Sequence, residues 1–103
     1  MNIDTQARVI TFECIVKSVA EYYKIKVEDL SNKKRTQSIA YPRQVAMYLC
    51  RDLADLSYPK IGELFGGRDH TTVIHAYEKI SNSKNTDKKL KEDLTKITEL
   101  INQ

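Results

Sequence analysis

The sequence predicts an all-α domain of five to six helices around one core, with a helix-turn-helix inside it. Three observations carry that expectation. Apolar residues recur at helical spacing, and strict two-residue alternation is almost absent. The chain has 103 residues, 41% hydrophobic and 30% charged, which suits one core and leaves no room for two. A glycine pair separates a short apolar segment from a longer one, the outline of two helices joined by a tight turn.

The elements follow in order. Residues 1–9 are polar and are expected to form a linker, flexible or an extended helix, ahead of a helical domain over 10–103. Thr11 is placed to cap a first helix, with Glu13 in its first turn, where a negative charge suits the helix dipole. Phe12, Ile15, Val16, Val19 and Tyr23 form its apolar stripe. Val27 to Leu30 adds a short turn of helix carrying Glu28 and Asp29. Ser31 to Gln37 has no apolar residue and reads as a loop. Pro42 suits the first turn of the next helix, where a missing N–H costs little. That helix buries Val45, Ala46, Leu49, Leu53 and Leu56. Ser57 or Tyr58 then caps a short helix that begins near Pro59 and buries Ile61, Leu64 and Phe65. Gly66-Gly67 ends it. Asp69 resembles a new N-cap, and Val73, Ala76, Tyr77 and Ile80 continue at helical spacing. Residues 81–86 are a polar break. Leu90, Leu94, Ile97 and Ile101 mark a last amphipathic helix with a charged outer face.

The net charge of +3 is unevenly spread. Residues 1–30 carry −1, residues 31–51 carry +5 with no acid at all, residues 52–80 carry −2 and residues 81–103 carry +1. An acid-free basic segment in a nearly neutral chain looks like a footprint for a polyanion, although taken alone a charge run is more often a solvated loop. No apolar run approaches the roughly 18 residues that cross a membrane, and the first residues lack a signal-peptide core. Cys14 and Cys50 sit far apart among apolar neighbours, so two reduced thiols in a cytoplasmic protein are expected.

The helix-turn-helix has the surface of a DNA reader. If Val73, Tyr77 and Ile80 face inward, then Thr71, His75, Lys79 and Asn82 lie on the opposite side. Arg68, Asp69, His70 and Thr71 crowd the N-terminus of the second helix, the end that meets base edges in the major groove. Arg reads guanine, Asp accepts from the cytosine amino group, and the Thr methyl touches thymine. Thr72 and His75 can donate to phosphates. Asp69 and Thr72 also make sense as a capping pair, and Arg68 as a surface ion-pair residue. His70 and His75 point about 140° apart on a helix, which argues against a metal site. No nucleophile or second carboxylate stands beside them at a recognised spacing, so no catalytic residue and no enzymatic activity are expected.

Ile61 to Ala76 (IGELFGGRDHTTVIHA) resembles the signature of the C-terminal DNA-binding domain of the DnaA family of bacterial chromosomal replication initiators. Lys33 to Met47 (KKRTQSIAYPRQVAM) is similar to that family's basic loop and the helix after it, and Val19 to Val27 fits too. The resemblance spans roughly residues 10–82. It implies a Trp-repressor-like domain that binds double-stranded DNA at DnaA boxes, short asymmetric sites of the TTATNCACA type at the replication origin. It places Arg35 in the minor groove, Asp69, His70 and Thr71 on base edges in the major groove, and Pro59 on thymine methyls. Phosphate contacts carry over to Lys33, Lys34, Thr36, Arg43, Gln44, Arg51, Arg68, Thr72 and His75. Lys34, Thr36 and Gln37 depart from a more arginine-rich family loop, and Tyr58 stands where a smaller Leu is common. The family's full-length protein binds ATP through a module that this chain lacks, since no Gly-x-x-x-x-Gly-Lys-Ser/Thr stretch occurs. No cofactor is therefore expected here. The domain is expected to act as a monomer alongside the other domains of a longer initiator. A dimeric transcriptional regulator and an anionic-lipid binder are the competing readings.

Overall fold

The computed structural model describes residues 9–31 and 37–103. Among these it contains six helices and no strand: α1 (Phe12–Tyr23), α2 (Val27–Ser31), α3 (Gln37–Leu53), α4 (Tyr58–Leu64), α5 (His70–Ser83) and α6 (Lys88–Ile101). Residues 1–8 and 32–36, the latter holding Lys33, Lys34, Arg35 and Thr36, lie outside the described residues.

Local chemistry sets most boundaries. The Thr11 hydroxyl accepts the Cys14 N–H at 3.2 Å and caps α1. Lys24 ends that helix in the left-handed region, at φ 59°. Ser57, Asp69 and Asp87 cap α4, α5 and α6 in the same way, each accepting a first-turn N–H. Burying their apolar faces supplies the rest, since helices this short are marginal alone.

α3 is the central element. Its residues Val45 to Cys50 are all buried, so apolar surface runs round the whole helix rather than along one stripe. It packs against α1, α2, α4 and α5. The expected stripe is only part of this, because Leu53 is half-buried and Leu56 lies beyond the helix end.

Pro42 corrects another expectation. α3 begins at Gln37, so Pro42 falls inside the helix and not at its first turn. There it removes the N–H that would reach the Ser38 carbonyl. Buried Ile39 and the Tyr41 ring, edge-on to Tyr23 at 6.0 Å, hold the turn before the proline and offset that loss.

α6 packs on α1 through buried Leu90, Ile97 and Ile101. Asp93 shares this stripe and is only 2% exposed, although its charge suggested the outer face. Its two carboxylate oxygens accept the Tyr22 and Tyr23 hydroxyls, and Lys89 Nζ lies 3.2 Å away. The bond to Asp93 raises the Tyr22 pKa above its ordinary value, and burial chiefly does so for Tyr23. The polar break expected at 81–86 begins later, because α5 runs on through buried Ile80 to Ser83.

Candidate nucleic-acid interface

α4, the turn 65–69 and α5 build the site. α4 has seven residues and α5 has fourteen. The turn between them is closed by backbone bonds: Phe65 N–H to Ile61 O at 3.0 Å, Gly67 N–H to Glu63 O at 3.3 Å and Arg68 N–H to Gly62 O at 2.8 Å. Gly66 and Gly67 adopt φ of +86° and +77°, where a side chain is strained. Gly62 has a role that the sequence reading missed. A Cβ on it would run into the Arg68 carbonyl, so its bare face lets α4 approach the start of α5. A glycine within an otherwise apolar helical segment was the available signal.

The N-terminus of α5 is uncovered. Asp69, His70, Thr71 and Thr72 are all exposed, as is Pro59 in the first turn of α4. Asp69 Oδ1 accepts the Thr71 N–H at 3.0 Å, and His70 Nδ1 lies 3.2 Å from the same oxygen. The Thr71 backbone bond, with lesser help from the Thr71 hydroxyl and His70, holds the Asp69 carboxyl below its ordinary pKa. Asp69 is therefore an ionised cap, and it still presents a carboxylate to solvent. Further along α5, His75, Lys79 and Asn82 are exposed while Val73, Ala76 and Ile80 are buried, as the spacing predicts.

Beside this terminus α3 and α5 enclose a concavity of about 290 Å³. Arg43, Gln44, Arg68, Thr72 and His75, five residues expected at phosphates, all line it. Lys79 joins them, an addition that its spacing of four from His75 and seven from Thr72 already signalled. The Gln44 Oε1 atom is buried here without a hydrogen-bond partner among the described residues.

Arg43 departs from the expected surface role. It is 6% exposed, its Nε donates to Leu30 O at 2.8 Å and its Nη2 to Asp29 O at 2.9 Å. Burial, and then the like charge of Arg68, lower its pKa. The side chain thus clamps the last turn of α2 to α3 and lends positive potential to the concavity from beneath. Arg51 is also engaged: its Nη1 donates to Leu56 O at 3.1 Å and its guanidinium lies over the Tyr58 ring.

An uncovered helix N-terminus beside a cationic hollow, in a helix-turn-helix, defines a DNA-binding domain of the helix-turn-helix class. The particular family follows from comparison. The family model of the bacterial dnaA protein helix-turn-helix matches residues 12–80, and the chain belongs to this family. A crystal structure of a DNA replication initiation factor superposes with a TM-score of 0.73 at 36% identity, over 87% of this chain. The matched chain is much longer, and the present one covers 29% of it.

Proposed function

We propose that this domain binds double-stranded DnaA boxes as a monomer and so directs a longer initiator to the replication origin of a bacterial chromosome. The carrying observation is the joint placement of the exposed Asp69, His70 and Thr71 with the basic concavity formed by α3 and α5. In this reading α5 enters the major groove, where Asp69, His70 and Thr71 read base edges and Pro59 meets thymine methyls. Gln44, Arg68, Thr72 and His75 seat one backbone phosphate, with Arg43 acting through its field. Lys33, Lys34 and Thr36 hold neighbouring phosphates, and Arg35 enters the minor groove. The domain works by binding, with no cofactor of its own, in the cytoplasm at the nucleoid.

The test is a titration of the chain against a one-box duplex and a scrambled duplex at two salt concentrations. Tighter binding to the box at both salts is expected, with one chain per duplex by sedimentation. Equal affinity for the two duplexes would sink the reading. Binding only as two chains per duplex would favour a dimeric transcriptional regulator instead.

A further inference from the structure

The junction between α3 and α4 is four residues long, 54–57, and one side chain spans it. Arg51 Nη1 donates to Leu56 O at 3.1 Å, and the same nitrogen lies 3.9 Å from Asp55 Oδ1. Its guanidinium carbon is 5.0 Å from the centre of the Tyr58 ring. Asp55, which it helps to hold, sits in the left-handed region at φ 55°. The contacts continue beyond Tyr58. The Tyr58 ring lies 6.0 Å from Tyr77 in an edge contact, and Tyr77 stacks on Tyr48 at 5.1 Å. Lys84, which ends α5, donates to the Tyr48 hydroxyl at 2.8 Å.

A column of three rings with a cation at each end therefore runs Arg51, Tyr58, Tyr77, Tyr48, Lys84 across three helices. It ties the first turn of α4 to the middle and far end of α5. The Arg68 N–H, which donates to the Gly62 carbonyl, and the bare face of Gly62 against the Arg68 carbonyl tie the other end of α4 to the start of α5. A seven-residue helix has no stiffness of its own, so these two ties set its pose. Pro59, exposed beside Tyr58, takes its position from them.

We propose that Arg51 and Tyr58 are positioning residues, which hold the first turn of α4 in register with α5 and thereby set how α4 meets the bound duplex. The inference rests on the DNA-binding reading above. It gives Arg51 a role that needs the planar guanidinium and not merely a positive charge. It also gives the ring of Tyr58 a partner within the protein, so the ring is not itself the base contact.

The test compares Arg51→Lys, Arg51→Met, Tyr58→Leu and Tyr58→Phe. Each variant is titrated with the one-box and scrambled duplexes at two salt concentrations. Amide hydrogen exchange is followed at Lys60 and Ile61, whose N–H groups bond to the Ser57 hydroxyl and carbonyl in the first turn of α4. Arg51→Lys, Arg51→Met and Tyr58→Leu should speed exchange at these two amides. They should also cut the box-over-scrambled ratio by about fivefold or more, the scale of a good base contact. Tyr58→Phe keeps the ring and should keep the ratio. Arg51→Lys should not rescue. A phosphate-bound Arg51 predicts the opposite pattern: full rescue by lysine, and in Arg51→Met a loss on both duplexes with the salt slope down by about one. That pattern overturns the proposal, as does a changed ratio without faster exchange. If the unmodified chain itself shows no box preference, the functional reading has failed. The exchange arm then decides alone, unchanged protection in Arg51→Lys overturning the positioning role and faster exchange supporting it.

Discussion

On the proposed reading Asp69 carries two roles on one carboxylate, helix cap and base contact, and substitution separates them. Asn caps a helix about as well as Asp but presents an amide donor toward a base amino group. Asp69→Asn should keep the melting temperature near that of the unmodified chain and lose most discrimination between box and scrambled duplexes. Intact discrimination would leave Asp69 as a cap only. The carboxyl has a depressed pKa in the folded chain, so its contribution to stability is present above its ordinary value of 3.8 and lost as pH falls below it. Acid should therefore lower the melting temperature more steeply in the unmodified chain than in Asp69→Asn, measured from about pH 5 downward. Arg43 behaves differently from a surface cation. Arg43→Ala removes a buried bond to the Leu30 carbonyl and a partly buried one to the Asp29 carbonyl. It should cost about 1–3 kcal/mol in urea denaturation, as well as weakening both duplexes. Cys50 is inert by burial, which pushes its thiol pKa up to about 12. A thiol reagent should modify it only after unfolding.

Two elements depend on a single packing detail. α6 is docked on α1, and Asp93 is the polar anchor between them. Asp93→Ala leaves two tyrosine hydroxyls without their acceptor and should cost about 1–3 kcal/mol in urea denaturation, with box preference unchanged. Loss of preference at full occupancy of the folded state would contradict that separation. Gly62→Ala forces α4 away from the Arg68 carbonyl and should lower both stability and box preference. The helical stripes, the caps at Thr11 and Asp69 and the glycine pair were legible in the sequence, because each is a pattern among near neighbours in the chain, and Ser57 was one of two candidates for the α4 cap. Asp93, Pro42 and Arg43 were not. Each obeys a partner 13 to 71 residues away or a core it packs into, so local pattern assigned it to the surface or to a helix end. For the site, the face of α5 followed from periodicity alone. The hollow shared with α3 needed the fold to bring Gln44 and Arg43 to Thr72 and His75.

Across the whole molecule, the proposed binding of one chain to one asymmetric site uses two separate contacts, α5 and the segment bearing Arg35. The segment 29–31 lies where the two meet in the chain's fold. Arg43 grips the carbonyls of Asp29 and Leu30, and the bare face of Gly66 sits against the carbonyl of Ser31. The first basic residue of the following segment, Lys33, comes two positions later. The turn that aims α5 and the root of the segment bearing Arg35 thus share one post. Inserting a single base pair in the middle of the box separates its two halves by about 3.4 Å along the axis and also rotates them. Affinity for such a duplex should fall to that of scrambled DNA, whereas lengthening the flanks should change nothing.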